Sequence, residues 1–99
     1  MIDEASGDDP ASRRNRAILL LLSVYGLRSG EVRRLQLDDI DWQHDRLRIQ
    51  RSKSMRLEMY PLEPSVGNAM AGYVRHGRPL SHSRTLFLTL RAPYRALSD

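Results

Sequence analysis

Hydrophobic residues form one long run near the start of the chain and shorter, regularly spaced groups further on. Asp9 followed by Pro10 is typical of a helix N-cap and first helical residue, and Gly26 is suited to ending that helix in a left-handed turn. We therefore predict a first helix over residues 10–25. Because its apolar positions leave almost no polar face, we expect it to be covered on most sides. Those positions are Ala17, Ile18, Leu19, Leu20, Leu21, Leu22 and Val24.

A second helix is predicted to begin with Ser29 as its N-cap. Glu31 would lie in its first turn, where a carboxylate complements the helix dipole. Val32 and Leu35 would face the core. The acidic segment 38–41 is then expected to turn the chain.

The residues that follow alternate between apolar and polar, a pattern that predicts an antiparallel β-hairpin. Trp42 is expected to begin a strand, and His44 and Asp45 to reverse the chain. Residues 46–50 and 56–61 are expected to form the two hairpin strands. The side chains predicted to face inward are Leu47 and Ile49 on the first strand and Leu57 and Met59 on the second.

A third helix is predicted to open at Glu63 and Pro64 and to end at Gly77. Its apolar residues at helical spacing are Val66, Ala69, Met70, Tyr73 and Val74. Residues 86–88 are predicted to form a short strand. Together these elements predict an α+β fold, with helices packed around a small antiparallel β-sheet.

Composition sets the scale of the molecule. Ninety-nine residues suffice for one small domain with a single modest core. The absence of cysteine excludes disulfides and thiolate chemistry, and we expect no cofactor or metal. The apolar run is far shorter than the ~20 residues of a membrane span, and it lacks the flanks of a secretory signal. We therefore expect a cytoplasmic protein.

Charge is distributed unevenly along the chain. Residues 1–12 hold four of the twelve acids and no base, so they are predicted to be a flexible acidic leader. The domain, residues 13–99, then carries sixteen bases against eight acids, a net charge of +8. Such a body attracts polyanions, of which nucleic acid is the commonest. A solvated, arginine-rich surface is the alternative.

One basic residue stands apart from the others. Fifteen of the sixteen are arginine, and the single lysine, Lys53, lies in a short polar segment between the two predicted hairpin strands. A lysine can give up its proton and act as a general acid, whereas a guanidinium stays charged. Lys53 is therefore a candidate proton donor, although composition alone favours the chance survival of one exposed lysine.

The segment Tyr25-Gly-Leu-Arg-Ser-Gly-Glu-Val-Arg-Arg-Leu-Gln-Leu-Asp-Asp-Ile-Asp resembles the tyrosine recombinases, the phage integrase family of site-specific DNA recombinases. The resemblance continues through the predicted hairpin, which has Lys53 in its turn, and through Tyr60-Pro-Leu. It also includes His76-Gly-Arg-Pro and Leu86-Phe-Leu-Thr-Leu-Arg-Ala-Pro-Tyr, so it extends from about Arg14 to the end of the chain. It implies the N-terminal half of a recombinase catalytic domain, DNA as the partner, and assembly as a tetramer on DNA.

The same resemblance assigns roles to individual residues. Arg28 corresponds to the first catalytic arginine, whose planar fork can bind a phosphate through two hydrogen bonds. Lys53 corresponds to the hairpin lysine that protonates the departing 5′ oxygen when a tyrosine attacks the phosphodiester. Glu31 would orient the active-site groups. Its alternative role, complementing the helix dipole, is nearly as well supported by the sequence.

Four further arginines are candidate DNA contacts: Arg33, Arg34, Arg51 and Arg56. For Arg33 and Arg34 a solvent-facing position is an equal alternative. Arg51 and Arg56 flank Lys53 and are expected to enrich a positive loop, although charges on a hairpin are also ordinary surface features. The aromatic residues Trp42, Tyr73 and Phe87 are predicted to lie in the core rather than to stack on bases.

Other parts of the family pattern are not found in these residues. No histidine is followed three places later by arginine, and all four tyrosines precede the position expected for the nucleophile. We therefore expect the 99-residue chain to be inactive alone. We also expect the first helix, deprived of the partner segments that would normally bury it, to leave an apolar patch that drives self-association. The competing predictions are a non-catalytic DNA-binding or regulatory module of the helix-turn-helix type, and a remnant that interacts with a full-length recombinase.

Overall fold

The computed structural model describes residues 9–90 together with 95 and 97. Its elements, in chain order, are α1 (Pro10–Tyr25), α2 (Ser29–Arg33), a 3-10 turn (Leu37–Asp39), β1 (Ile40–Asp41), β2 (Arg46–Gln50), β3 (Leu57–Pro61) and α3 (Pro64–His76). These helices and the antiparallel sheet confirm the predicted α+β fold. Residues 1–8 of the predicted leader and residues 91–94 of the last family-like segment lie outside the described residues.

Helix α1 begins and ends as the sequence predicts. The Asp9 carboxylate accepts a hydrogen bond from the Ser12 N–H at 3.3 Å, and Gly26 ends the helix with φ of 65°. The prediction of a helix covered on most sides was wrong. Only Ala17 and Leu21 are buried, whereas the Leu19 side chain is 64% exposed. The reason is that α1 packs mainly against α3, with a smaller contact to α2, and these neighbours cover one side of it.

The short helix α2 begins one residue away from the predicted position. Arg28, not Ser29, is the N-cap, and its backbone N–H donates to the Glu31 carboxylate three residues later. Val32 and Leu35 are buried, as predicted. Because a five-residue helix cannot hold itself in water, these buried side chains are what fix α2 on the core.

The sheet has the order β1-β2-β3, with both pairs antiparallel. Leu47 and Ile49 of β2 are buried as predicted, but the predicted inner face of β3 was wrong: Leu57 and Met59 are exposed. In the observed register Leu47 lies opposite Tyr60 and Ile49 opposite Glu58. Directly opposite residues of paired strands point to the same face, so Tyr60 and Glu58 lie on the inner side. Both side chains are half-buried.

Trp42 does not begin a strand and does not lie in the core, so both predictions for it were wrong. Strand β1 consists of Ile40 and Asp41, and Trp42 belongs to the turn that follows. Its side chain is 45% exposed and lines a shallow groove against α3 beside Ala71 and Arg75. The reversal at His44 and Asp45 is present, with Asp45 at φ of 53°.

Residues 86–88 are buried but do not form the predicted strand. The Arg78 guanidinium donates to the carbonyls of Ser83, Thr85 and Leu86, at 2.7 to 3.0 Å. The Leu88 N–H donates to the Tyr73 hydroxyl at 3.1 Å. Side chains therefore satisfy some backbone groups of this segment. Other backbone groups satisfy the rest of those described: the Leu86 N–H donates to the Leu35 carbonyl at 2.9 Å, and the Phe87 carbonyl accepts from the Leu97 N–H at 3.3 Å. Isolated bridges, such as Gln36 to Thr85, take the place of a continuous strand. Tyr73 and Phe87 are buried, as predicted, and their rings stack with centroids 5.2 Å apart.

Candidate active site

The first component of the site is Arg28, which lies between the end of α1 and the start of α2. Gly26 turns the chain, Leu27 is buried, and Arg28 follows with an exposed side chain. The buried Leu27 anchors the backbone of this connection. The Arg28 guanidinium therefore projects from a fixed point while remaining accessible to solvent.

The second component is Glu31, a carboxylate that is only 2% exposed. Its Oε1 accepts the Arg28 N–H at 2.8 Å. Its Oε2 accepts both the backbone N–H of Ser52, at 2.7 Å, and the Ser52 hydroxyl, at 3.0 Å. Ser52 directly precedes Lys53 in the hairpin turn. One side chain thus joins the backbone at Arg28 to the backbone beside Lys53.

Hydrogen bonding keeps the Glu31 carboxylate ionised in this buried position. Burial alone would raise the pKa of Glu31, since it disfavours the charged form. The N–H groups of Arg28 and Ser52, the Ser52 hydroxyl and the nearby Arg51 charge together outweigh burial and hold the pKa of Glu31 below its ordinary value of 4.5. The site therefore contains a buried negative charge at neutral pH.

The third component is the turn between β2 and β3, defined here as the lysine turn, residues 51–56. The Arg51 N–H donates to the Arg56 carbonyl at 2.8 Å, and the Met55 N–H donates to the Arg51 carbonyl at 3.0 Å. Met55 has φ of 61°, which closes the turn. Lys53 lies at the exposed tip. The buried carboxylate that accepts the Arg28 N–H therefore also holds Ser52, the residue directly before Lys53.

Arg51 points inward from the base of the lysine turn. Its Nε lies 3.5 Å from Glu31 Oε2, and its Nη1 donates to the Tyr60 hydroxyl at 3.3 Å. The Tyr60 hydroxyl in turn donates to the Glu58 carboxylate. That hydrogen bond, followed by burial, raises the pKa of Tyr60. Arg51 therefore lies between two carboxylates, one of them reached through a tyrosine.

The other predicted arginines lie on either side of these groups. Arg33 is half-buried near the end of α2, and Arg34 is exposed directly after it. Arg56 is exposed at the far end of the lysine turn, where its N–H donates to the Ser54 hydroxyl at 3.3 Å. Their contact with DNA stays a prediction. Across residues 9–90 no three His, Asp or Glu side chains converge as a metal ion would require.

Sequence reasoning missed two members of the site, Ser52 and Tyr60. Ser52 supplies two hydrogen bonds to Glu31, and Tyr60 supports Arg51 from the other side. A signal for Tyr60 was present in the alternation of β3, had the strand been assigned the opposite face. No local pattern marks Ser52, because its partner lies 21 residues earlier.

The sequence of this chain is similar to the sequences of known proteins. Residues 1–96 match the sequence pattern of the phage integrase family. The chain belongs to the phage integrase family of tyrosine recombinases. The chain is 43% identical over 97 residues to the candidate integrase/recombinase y4gC of Sinorhizobium fredii. It is 39% identical over 98 residues to the candidate integrase/recombinase y4rF of the same organism. It is also 36% identical over 83 residues to the tyrosine recombinase XerD of Mycobacterium tuberculosis.

The chain spans only part of the length of these relatives. The matches cover 98%, 99% and 80% of the chain, but 50% of y4gC, 23% of y4rF and 26% of XerD. Family membership therefore applies to the region that contains Arg28, Glu31 and Lys53. In the part of the chain that the structure describes, no helix is long and apolar enough to cross a membrane.

Proposed function

We propose that this region serves a site-specific DNA recombinase by binding DNA and contributing Arg28 and Lys53 to strand cleavage and rejoining. Arg28 holds the scissile phosphate, and Lys53 protonates the 5′ oxygen as it departs. Glu31 positions both. The recombinase works on DNA as an assembly of four copies, and the attacking tyrosine belongs to a part of the active site outside these 99 residues.

The observation that carries this proposal is the double attachment of Glu31. Its two oxygens bind the backbone at Arg28 and at Ser52, which are separated by 24 positions in sequence. A carboxylate used only to complement the dipole of α2 would not need to reach the lysine turn. The bridge instead supports a site in which an arginine and a lysine must keep a fixed separation. Phosphoryl transfer requires such placement of cations around the reacting phosphate.

The charges of the two cations also favour a phosphate ligand. Among the described residues, no ion pair involves the side chain of Arg28 or of Lys53. Both are exposed. Two unneutralised cations beside one connection and one turn attract an anion, and the +8 body of the chain adds a long-range attraction for a polyanion.

The helix-turn-helix alternative is less well supported by the fold. A recognition helix must present side chains to the major groove. Helix α2 has only five residues, and Glu31 and Val32 on it are buried. Few of its positions are left to read bases.

The single lysine makes a direct test possible. Lys53 carries the only side-chain amine in the chain, so an amine-acylating reagent modifies Lys53 and the N-terminal amine of Met1. We expect saturating duplex DNA of arbitrary sequence to slow acylation of Lys53 severalfold while the Met1 amine reacts at its usual rate. Peptide mass spectrometry measures both rates in one sample. Equal Lys53 acylation with and without bound DNA would refute the proposal.

Matched variants separate a phosphate contact from general positive charge. Arg28→Met should lower the slope of log affinity against log salt by about 1, as expected for one lost phosphate contact. Arg75→Met removes an exposed arginine from the last turn of α3 and should leave that slope unchanged.

A suicide DNA substrate should give no covalent adduct with the 99-residue chain. An adduct would show that a nucleophile is present after all.

A further inference from the structure

Arg51 differs from the other arginines near the site in the direction of its side chain. It is 23% exposed, and its guanidinium contacts Glu31 on one side and Tyr60 on the other. Arg56, at the opposite end of the lysine turn, is exposed and has no ion pair within residues 9–90. Two arginines that flank one lysine thus have different surroundings.

We propose that Arg51 is a positioning residue for Lys53, acting with Tyr60 and Glu58, and not a contact to DNA. This inference rests on the proposed function, because it concerns how the lysine turn is held. Arg51 acts through Glu31 and through the backbone of the turn. Its positive charge is paired with the Glu31 carboxylate within the protein.

The backbone of Arg51 supports the first step of this inference. Its N–H and its carbonyl both close the lysine turn, the first by bonding to Arg56 and the second by accepting from Met55. Its side chain adds contacts to Glu31 and Tyr60. Backbone and side chain of one residue therefore connect the turn to α2 and to β3. Lys53, two positions later, takes its location from this base.

Charge balance supports the second step. The guanidinium of Arg51 lies beside the buried Glu31 carboxylate, and the Tyr60 hydroxyl that it contacts donates to Glu58. One carboxylate pairs with this cation directly and a second lies beyond the Tyr60 hydroxyl, so little net positive charge remains there for a phosphate. Contacting a phosphate would also require Arg51 to leave Glu31 without its ion-pair partner, which is unfavourable for a buried charge.

The geometry further explains why this residue is arginine. Nε faces Glu31 while Nη1 faces Tyr60, so the two contacts use different edges of a planar group. A lysine offers a single compact ammonium and cannot span both partners in the same way. Arg51→Lys is therefore the informative variant, since it preserves the charge and removes the fork.

Hydrogen exchange in the free protein tests the inference without DNA. The Ser52 N–H is bound to Glu31, so it reports whether the base of the turn is held. We expect Arg51→Lys to accelerate exchange of the Ser52 amide about tenfold, with a smaller acceleration in Tyr60→Phe. The Leu47 amide in β2 should exchange at its wild-type rate, which separates an effect on the turn from general loss of stability. Arg56→Lys serves as the matched control and should change neither rate.

DNA binding is the second arm of the test, after hydrogen exchange. Arg51→Lys should leave affinity and salt slope near wild type. Arg51→Met, which adds no second side-chain amine, should weaken the protection of Lys53 from acylation at saturating DNA. Arg56→Met should lower the slope by about 1. Unchanged Ser52 exchange in both Arg51→Lys and Tyr60→Phe would overturn the inference. Arg51 would instead be a DNA contact if two results came together. The salt slope would fall as much in Arg51→Met as in Arg56→Met, and the Ser52 amide would exchange at its wild-type rate.

The two arms distinguish failure of this inference from failure of the proposed function. If DNA does not protect Lys53 in the wild-type chain, the proposed function fails. Faster Ser52 exchange in Arg51→Lys would still support Arg51 as the residue that holds the turn. If Lys53 is protected but Ser52 exchange does not change, only the role of Arg51 is refuted.

Discussion

We expect Glu31→Gln to destabilise the chain substantially at neutral pH. Glutamine has nearly the size of glutamate but carries one oxygen and one NH2 group. Both Glu31 oxygens accept hydrogen bonds, one from the Arg28 N–H and the other from Ser52. In either orientation of the amide, its NH2 group must face an N–H donor. The substitution thus removes at least one acceptor and the charge that strengthens the remaining bonds.

The size of the effect follows from these contacts. A hydrogen bond to a charged group contributes about 1.5–3 kcal/mol, and a buried donor left without an acceptor costs about 1–3 kcal/mol. The loss of the Arg51 ion pair adds less, because that side chain reaches solvent. We expect Glu31→Gln to lower the free energy of unfolding by about 2–3 kcal/mol. For a domain of this length, that corresponds to a fall in Tm of roughly 10–20 °C.

The pH dependence gives a sharper signature. Since the pKa of Glu31 is lowered in the folded chain, its stabilising contribution is present above the ordinary value of 4.5 and is lost as pH falls through the folded-state pKa. Glutamine has no proton to take up in this range. The difference in unfolding free energy between wild type and Glu31→Gln should therefore be largest at neutral pH and shrink below pH 4.5. Other carboxylates titrate in both proteins, so their contributions cancel.

Urea unfolding at a series of pH values from neutral to about 3 measures this difference. Asp41→Asn is the matched control, because the Asp41 carboxylate likewise accepts a backbone N–H from a residue three positions away, His44, but its side chain is 43% exposed. It should shift the urea midpoint much less than Glu31→Gln. A difference for Glu31→Gln that stays constant as the pH falls, or that is no larger than the control, would refute the reasoning.

Three further outcomes are expected. Tyr73→Phe should cost about 1–2 kcal/mol in urea unfolding, because the buried Leu88 N–H loses its acceptor; a neutral result would mean that another group accepts it. Gly26→Ala should cost about 1–2 kcal/mol through backbone strain alone, since φ is 65° and a Cβ there would meet no atom within 4 Å; no change in Tm would contradict this. Leu19→Arg should reduce self-association in sedimentation, because Leu19 and Val24 are exposed on α1; a wild-type chain that stays monomeric at high concentration would refute that expectation.

Local signals predicted the helices well because the information lies in adjacent residues. Asp9 with Pro10 and the left-handed Gly26 determine where α1 starts and stops, whatever packs against it. The inner face of β3 could not be found in the same way. Leu57 and Met59 are more apolar than Glu58 and Tyr60, yet the register with β2 places the latter pair inward. Register is a property of two strands, so the composition of one strand does not determine it.

The site shows the same contrast between what adjacent residues predict and what depends on contacts between distant residues. Arg28 and Lys53 were identified by resemblance, and in the structure Glu31 accepts the backbone N–H of Arg28 and that of Ser52, the residue before Lys53. The means of attachment could not be predicted, because it depends on contacts between a helix and a turn that are distant in sequence. Arg51 illustrates this most clearly. As one more basic residue in a positive loop it was a candidate DNA contact, and only the positions of Glu31 and Tyr60 suggest another role for it.

The distribution of charge explains how a buried acid can belong to a site for which we propose an anionic ligand. A carboxylate beside two cations would ordinarily neutralise part of their charge. Here the Glu31 oxygens face backbone N–H groups, and the guanidinium that pairs with Glu31 is that of Arg51. Because Arg51 pairs with the Glu31 carboxylate, Glu31 can hold the backbone at Arg28 and Ser52 while the tips of Arg28 and Lys53 stay available to the phosphate that we propose. In Arg51→Met the same carboxylate would lack its partner, and we expect it to attract the Lys53 ammonium and compete with the phosphate for it.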